Sequence, residues 1–253
     1  MNETSHDETA RALIACIDLT DLSDDCTEAD IDALVERATT PHGTVAAICI
    51  YPRFVRHARQ ALPAGVRLAT VVNFPAGADD VEATIAETRQ AVADGADEID
   101  LVISHDRVEE DPGFVAEQVR RVKEAAGSAT LKTILETGEL RDPGLVEMAA
   151  VASLKGGTDF LKTSTGKTAT GASLPAARIL LNQIAQIDRP VGLKPSGGIR
   201  TFEDAKRYLD LTVEIMGEGW ARPETFRLGA SGLLTDLLAV ADGTRRPDVA
   251  DAY

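Results

Sequence analysis

A lysine lies in the middle of a short apolar run at residues 159–164, where an ammonium group would be costly to bury. Phe160, Lys162 and Ser164 alternate along the run, so in a β-strand their side chains point to one face. An amine that is desolvated beside a second cation has its pKa lowered from about 10.4 toward ~7–8 and can then attack carbonyl groups. Equally, the lysine could extend from the end of the strand into solvent. Residues on the neighbouring strands are needed to distinguish a reactive lysine from a solvent-exposed one.

From residue 45 onward, short β-branched runs alternate with helical segments, an order typical of a parallel sheet built from βα units. Eight strands are predicted, the number that closes a (β/α)8 or TIM barrel, at residues 45–50, 67–73, 98–103, 130–136, 159–164, 191–195, 212–216 and 227–229. Helices are predicted at 53–61, 79–94, 112–126, 142–155, 173–187, 201–209, 222–226 and 231–240. An open doubly wound sheet is the alternative, but the first predicted strand is not followed by the phosphate-binding Gly-x-Gly-x-x-Gly turn of that fold.

Two further helices, 8–16 and 28–38, are predicted before the repeating part of the chain, with Leu13, Ile14 and Ile17 on the apolar face of the first. The length of 253 residues fits one barrel, for which about 250 is typical. We therefore predict an α/β fold, a single TIM-barrel domain over residues 1–253. It has two extra N-terminal helices in 1–40, the barrel in 45–240 and a flexible C-terminal tail in 241–253.

The net charge, the cysteines and the lack of long apolar runs indicate which binding partners and which cellular compartment to expect. A net charge of −15 argues against a nucleic-acid partner, although the acidic surface would also fit a salt-adapted host. Cys16, Cys26 and Cys49 are odd in number and lie in unrelated contexts, so neither a disulfide framework nor a cysteine metal site is indicated. The acidic N-terminus has no apolar segment, and no run approaches the ~18 residues of a membrane span. We expect a soluble, cytoplasmic protein without a membrane partner.

Lysines recur on three neighbouring predicted strands, the fourth, fifth and sixth, as Lys132, Lys162 and Lys194. Adjacent strands lie ~5 Å apart, so Lys194 could approach Lys162 closely enough to lower its pKa. The third predicted strand adds Asp100 among apolar neighbours, either as an ion-pair partner of a lysine or as a proton relay. Three lysines on adjacent strands favour a site for imine chemistry over accidental burial.

Glycine-rich turns follow two of the predicted strands. Gly197 and Gly198 precede the helix that starts at Thr201, and the segment from Gly229 to Gly232 precedes the last helix. Backbone N–H groups in such turns bind anions at the N-termini of helices. With the basic residues Lys167 and Arg200 beside them, these turns predict a phosphate site.

Seven motifs carry a resemblance to a known family: DLT at 18–20, AICIYPRF at 47–54, NFP at 73–75, GADEID at 95–100, ETGEL at 136–140, DFLKTSTGK at 159–167 and KPSGGIR at 194–200. Over nearly its whole length the chain resembles the deoxyribose-phosphate aldolases, class I aldolases on a (β/α)8 barrel. The resemblance implies reversible cleavage of 2-deoxy-D-ribose 5-phosphate to acetaldehyde and D-glyceraldehyde 3-phosphate. It also implies a lysine Schiff base, no metal and no cofactor, phosphorylated sugar and aldehydes as ligands, and a homodimer.

By this resemblance Lys162 forms the Schiff base, Lys194 lowers its pKa, and Asp100 carries protons through a water molecule. Tyr253, at the end of the tail, would assist proton transfer at the methyl carbon of the imine. The residues implied to bind the rest of the substrate are Asp18, Thr20, Cys49, Lys132 and Thr165, with Cys49 a bystander rather than a nucleophile. The residues implied to bind phosphate are Gly166, Lys167, Gly197, Gly198, Arg200, Gly229 and Ser231.

Three other functions are alternatives to this one. Another imine-forming barrel lyase, acting on a related sugar phosphate, would use the same lysines. A metal-dependent barrel hydrolase would need His and carboxylate ligands at strand ends, but the four histidines are scattered without paired spacing, at His6, His42, His57 and His105. A non-catalytic phosphate-binding barrel would not require Lys162, Lys194 and Asp100 together.

Overall fold

Eight parallel strands form the barrel that the sequence predicts. The structure is a computed structural model and describes residues 5–245, so Tyr253 lies outside the described residues. The barrel strands are β1 Ile17–Asp21, β2 Ala47–Ile50, β3 Arg67–Val72, β4 Glu98–Val102, β5 Thr130–Ile134, β6 Phe160–Lys162, β7 Gly192–Lys194 and β8 Leu228–Ala230. From β1 to β7 each strand pairs in parallel with the next, and β8 pairs with β1. Parallel bridges from Leu193 to Phe226 and from Ser196 to Gly229 join β7 to the last strand and complete the ring.

Helices cover the outside of the barrel. In chain order they are α1 His6–Ile14, α2 Glu28–Arg37, α3 Val55–Ala61, α4 Val81–Ala93, α5 Pro112–Ala126, α6 Pro143–Lys155, α7 Leu174–Ile184, α8 Phe202–Met216 and α9 Leu233–Ala241. Two short 3-10 helices, Pro52–Phe54 and His105–Arg107, and a small hairpin of Thr39–Thr40 with Gly43–Thr44 complete the description. The predicted α/β barrel is confirmed.

The first barrel strand was not predicted. It lies between the two predicted N-terminal helices, which are present as α1 and α2, and Ile17 begins this strand instead of lying in the first helix. The barrel therefore starts at Ile17 rather than at residue 45. The strand was not predicted because it contains two acidic residues, Asp18 and Asp21. A short segment with this polar content does not show the apolar pattern by which a buried strand is identified. Asp18 is tolerated there because basic residues from other strands pair with it.

The seventh predicted strand, 212–216, was wrong. These residues form the last turns of α8, which continues to Met216 instead of stopping at residue 209. The β-branched run also satisfies helical spacing, since Tyr208, Leu211 and Thr212 are buried on one face of that helix. The predicted helix at 222–226 is also absent from the described chain, because these residues form turns. Because the unpredicted strand at Ile17 comes first, the three lysines lie on the fifth, sixth and seventh strands of the barrel.

The barrel interior has an apolar side and a charged side. Small side chains of β2 and β3 pack with Leu22 on the apolar side. The charged side chains come from the other strands and are all buried: Asp18, Glu98, Asp100, Lys132, Lys162 and Lys194. Strand register aligns them, because Asp100 pairs with Lys132 and Lys162 pairs with Lys194. The main apolar core lies outside this layer, between strands and helices.

The start of α8 provides a test of local stability next to the predicted phosphate turn. Thr201 Oγ1 accepts a hydrogen bond from the Asp204 N–H at 3.1 Å, and the Asp204 carboxylate accepts one from the Thr201 N–H at 3.2 Å. Such a capping box satisfies N–H groups that the helix leaves free. Thr201→Ala should lower the free energy of unfolding by about 1 kcal/mol, measured by urea denaturation. Thr201→Ser, which keeps the oxygen, should stay near the parent value; equal losses in both variants would contradict the capping role.

Candidate active site

Lys162 lies at the floor of a cavity of about 720 Å³ that opens at the carboxyl ends of the strands. Its side chain is 3% exposed, and Nζ donates a hydrogen bond to Asp100 Oδ2 at 2.7 Å. Of the three lysines predicted together, Lys162 is the one that lines this cavity, while Lys132 and Lys194 are fully buried behind it. An amine in this position can meet a carbonyl compound that enters the cavity.

Asp100 joins the three lysines. Its Oδ2 accepts hydrogen bonds from Lys162 and Lys194, both at 2.7 Å, and its Oδ1 accepts one from Lys132 at 3.0 Å. The predicted ion-pair role of Asp100 is therefore confirmed. Because one oxygen is shared by two amines, the carboxylate fixes the separation between Lys162 and Lys194.

A second tier of charges lies below this carboxylate. Asp18 Oδ2 contacts both Lys132 and Lys194, and Asp18 Oδ1 accepts a hydrogen bond from Arg227 at 2.6 Å. Arg227 also donates to both carboxylate oxygens of Glu98, at 2.9 and 3.2 Å, and Glu98 contacts Lys132. The sequence interpretation missed Glu98 and Arg227. Glu98 could have been found, because it is two residues from Asp100 and so shares its face of the strand.

The electrostatic environment separates Lys162 from the other two lysines. Burial lowers the pKa of Lys162, the positive charge of Lys194 lowers it further, and the Asp100 carboxylate only partly compensates. Burial also opposes the charge on Lys194 and Lys132, but their contacts with Asp100 and Asp18 outweigh it and raise the pKa of each. Lys162 is therefore the amine of this cluster that loses its proton first.

The predicted phosphate residues all line the cavity above Lys162. They are Gly166, Lys167, Gly197, Gly198, Arg200, Gly229 and Ser231. Thr20 and Thr165 of the predicted substrate set also line it, whereas Asp18, Cys49 and Lys132 are fully buried behind the wall. Arg37 from α2 adds a cation to the lining that the sequence interpretation missed, because its position on a helix gave no sign that it faces the barrel mouth.

Two features of the rim favour an anion. Gly197 has a φ of 89°, a conformation that side chains rarely adopt, and a side chain at Gly229 would come within 3.2 Å of the Lys194 Cε. Both glycines line the cavity, and because neither has a side chain, their backbone is directly exposed to a ligand there. In addition, α9 begins after Gly232 with N–H groups that no side chain among residues 5–245 caps. Free N–H groups at a helix N-terminus attract negative charge.

Glu136 holds the loop that carries part of this rim. It is 1% exposed and has a φ of 51°, which is uncommon for a residue with a side chain. Its carboxylate accepts hydrogen bonds from the Thr165 N–H and hydroxyl and from the Thr168 hydroxyl, which flank Gly166 and Lys167. The sequence interpretation used Glu136 only as part of a motif, since nothing local shows that its side chain points to the next loop.

Within residues 5–245, no group of three or more His, Cys, Asp or Glu side chains is arranged to hold a metal ion. Over the same residues, the helices are too short or too polar to cross a membrane.

Comparison with known proteins agrees with this geometry. The sequence pattern of the DeoC/LacD family aldolases matches residues 12–235, which include all of the lysines and carboxylates described above. The chain belongs to the DeoC/LacD family of aldolases. It is therefore a lyase that acts on carbon–carbon bonds, and the resemblance read from the sequence motifs is confirmed.

Several relatives align with this aldolase along most of their length. The deoxyribose-phosphate aldolase of Agrobacterium fabrum (strain C58 / ATCC 33970) is 48% identical over 250 residues, which is 97% of this chain and 96% of that protein. A Toxoplasma gondii ME49 protein assigned as a deoxyribose-phosphate aldolase, solved in its apo form, has a TM-score of 0.86 at 29% identity and covers 95% of this chain and 99% of its own. The tetrameric deoxyribose phosphate aldolase of Aeropyrum pernix has a TM-score of 0.74 at 26% identity and covers 93% and 92%.

The contacts of Glu136 lead to a prediction for the aldolase's anion site. Glu136→Gln replaces an acceptor of three hydrogen bonds by an amide that accepts with one oxygen, so the loop bearing Gly166 and Lys167 should lose its fixed conformation. We expect affinity for inorganic phosphate to fall by about five- to tenfold, the effect of losing roughly 1–1.4 kcal/mol, in a calorimetric titration. Glu139→Gln, the same change at an exposed position three residues on, is the control. Equal phosphate affinity in both variants would show that the loop does not need Glu136.

Proposed function

We propose that this aldolase cleaves 2-deoxy-D-ribose 5-phosphate reversibly to acetaldehyde and D-glyceraldehyde 3-phosphate through a Schiff base on Lys162. The observation that carries the proposal is the position of Lys162, a buried amine with a lowered pKa at the floor of a cavity with an anion-binding rim. A relative that is 48% identical along nearly the whole chain carries the name deoxyribose-phosphate aldolase. A substrate with a carbonyl at one end and a phosphate at the other matches the two ends of this cavity.

The rim would bind the phosphate and thereby orient the sugar. Lys167, Arg200 and Arg37 supply positive charge, and the turn at Gly197 and the start of α9 supply N–H groups. Thr20 and Thr165 line the same cavity as Lys162, and their hydroxyl oxygens could accept hydrogen bonds from hydroxyl groups of the sugar. Phosphate binding at one end holds the aldehyde carbon against the amine at the other.

The chemistry then begins at the neutral amine of Lys162. It attacks C1 of the open-chain sugar, water leaves, and a protonated imine remains. The C3 hydroxyl loses its proton, the C2–C3 bond breaks, and the electron pair moves into the imine to give an enamine and glyceraldehyde 3-phosphate. The enamine takes a proton at C2, and hydrolysis releases acetaldehyde and restores Lys162. The imine nitrogen itself accepts the electron pair, so the residues described here suffice for this step.

Asp100 would relay protons during the reaction, and Lys194 would stay protonated beside it. Asp100 Oδ2 lies 2.7 Å from both amines, so this carboxylate can relay protons between the substrate and solvent through a water molecule, while Lys194, whose pKa is raised, stays protonated. Despite burial, the contacts with Lys132, Lys162 and Lys194 hold the pKa of Asp100 well below its usual range, so the proton resides on a lysine and not on the carboxylate. Burial raises the pKa of the Cys49 thiol, which supports its assignment as a bystander.

We infer a single catalytic domain that works as a homodimer in the cytoplasm, without a metal or cofactor. Cys16, Cys26 and Cys49 are free and buried, which fits a reducing compartment. The dimer rests on the family resemblance, and sedimentation equilibrium of the full chain would distinguish it from a tetramer like that of the Aeropyrum pernix enzyme.

The Schiff base is tested by chemical trapping. Incubation with acetaldehyde and borohydride should inactivate the enzyme and modify Lys162, because reduction makes the imine permanent. The measurement is peptide mass mapping together with residual activity, and Lys162→Arg serves as the unlabelled control. Labelling at Lys167 or Lys194 would reject Lys162 as the Schiff-base residue. Trapping at Lys162 with turnover of a different phosphorylated sugar, but not of deoxyribose 5-phosphate, would keep the chemistry and change the substrate.

Tyr253 is proposed as the group that donates the proton to C2 of the enamine. The residue lies outside the described part of the chain, and the family resemblance is what assigns its phenol this role. Tyr253→Phe should lower turnover by ~10²-fold, the usual range for a general acid–base group, while acetaldehyde is still trapped on Lys162. Deuterium exchange into acetaldehyde should slow by the same factor in NMR experiments. Normal turnover of Tyr253→Phe would mean that another donor serves C2.

A further inference from the structure

The buried charges beneath the cavity do not balance. As described by residues 5–245, the layer contains four basic side chains, Lys132, Lys162, Lys194 and Arg227, and three acidic ones, Asp18, Glu98 and Asp100. All seven side chains are at most 7% exposed. If every group were ionised, the layer would hold one uncompensated positive charge away from solvent. A buried charge without a partner is expensive, and losing a proton removes that cost.

The contacts indicate which group gives up its proton. Lys132 contacts three carboxylates, those of Asp18, Glu98 and Asp100. Lys194 contacts two, those of Asp18 and Asp100. Lys162 contacts only the Asp100 carboxylate among the described residues. Arg227 contacts two carboxylates, and an arginine does not deprotonate in proteins. Lys162 therefore has the least compensation of the three lysines.

We propose that Arg227 and Glu98 are positioning residues that fix the positive surplus of this buried layer and thereby keep the Lys162 amine neutral. The inference rests on the proposed function of Lys162 and extends it to two residues outside the cavity lining. Neither residue contacts Lys162. Both act through a chain of contacts from Arg227 through Asp18 and Lys194 to Asp100 and then to Lys162.

Arg227 is well placed to supply a permanent charge. One terminal nitrogen donates to Asp18 at 2.6 Å and to Glu98 at 3.2 Å, and the other donates to Glu98 at 2.9 Å. Its guanidinium also lies 5.6 Å from the ring centre of Phe160, which is two residues before Lys162 on the same strand. The arginine thus neutralises carboxylate charge that would otherwise be available to the lysines. Removing it would leave three lysines facing three carboxylates, and Lys162 would keep its proton.

The other groups around Lys162 do not change this balance. The titratable residues that face it are Asp100 on β4, Lys194 on β7 and Cys49 on β2. The layer beneath contributes Asp18 from β1, Glu98 from β4, Lys132 from β5 and Arg227 before β8, while β3 contributes the uncharged Ala69 and Val71. Burial keeps the Cys49 thiol protonated by raising its pKa. The net charge of the layer is therefore set by the seven residues named above.

Neutralising Glu98 and neutralising Arg227 should shift the pH at which Lys162 loses its proton in opposite directions. Glu98→Gln removes a negative charge and raises the surplus to two, so Lys162 should release its proton at lower pH. Arg227→Gln removes a positive charge and abolishes the surplus, so Lys162 should hold its proton to higher pH. The double variant restores a surplus of one. Arg227→Lys keeps the charge and serves as the control for lost packing.

The experiment measures the pH at which acetaldehyde trapping on Lys162 is half-maximal. Cyanoborohydride, which survives mild acid, is used between pH 5 and 9 with mass spectrometric readout of the full-length enzyme. We expect the midpoint to fall by roughly 1–2 pH units in Glu98→Gln and to rise by a similar amount in Arg227→Gln, the size of interaction between charges roughly 6–12 Å apart at an effective dielectric of about 20. The double variant and Arg227→Lys should return close to the parent midpoint.

Other results would contradict either the role of Arg227 and Glu98 or the proposed function of Lys162. Shifts of the two single variants in the same direction, or a double variant that does not return toward the parent, would overturn the inference. If Arg227→Gln fails to fold, Glu98→Gln decides alone, since an unchanged or raised midpoint in that isosteric variant overturns the inference. Labelling of another residue in the parent enzyme would refute the proposed function. If Lys162 is labelled in the parent enzyme but the pH midpoint of trapping is the same in the variants as in the parent, only the role of Arg227 and Glu98 is refuted.

Discussion

One carboxylate oxygen, Oδ2 of Asp100, is hydrogen-bonded to two amines, and the rest of the site depends on this contact. The carboxylate is buried, so it can stay charged only because lysines surround it. The lysines are buried as well, and the same carboxylate is what makes their burial possible. Because Lys162 and Lys194 are paired residues on adjacent strands, the sheet brings them together, and the shared oxygen holds two like charges near each other. A lysine with a lowered pKa is the consequence of that enforced proximity.

The parallel barrel explains how such a layer can form. Residues at equivalent heights on neighbouring strands point into the same ring, so a few positions on different strands create a dense cluster from distant parts of the sequence. Asp18 and Arg227, which are hydrogen-bonded to each other, are 209 residues apart. The side of the interior built by β2 and β3 carries small apolar residues instead. Charge is therefore confined to one side of the barrel, where each cation has a carboxylate within reach.

The sequence predicted the elements that follow local rules and missed those that depend on distant partners. Lys162 could be found because a lysine in an apolar run is locally anomalous, and Glu98 was overlooked although it shares the face of Asp100. The strand beginning at Ile17 was missed because Asp18 is acceptable in a strand only with basic partners from the far end of the chain. The strand predicted at 212–216 failed for the opposite reason, since a short β-branched run fits a helix equally well. Arg227 gave no local signal at all.

The ion pair between Lys167 and Asp24 has a consequence for selectivity. Lys167 Nζ donates to Asp24 Oδ1 at 2.7 Å, between residues 143 positions apart, and the Asp24 side chain is largely exposed. An exposed pair of this kind is weak and exchanges easily. The lysine at the rim thus already holds a carboxylate, and a ligand that offers only one negative charge gains little by replacing it. A phosphate near its second ionisation offers more charge than the aspartate it displaces. Asp24 therefore competes with an incoming anion for Lys167, and this competition favours ligands that carry more than one negative charge.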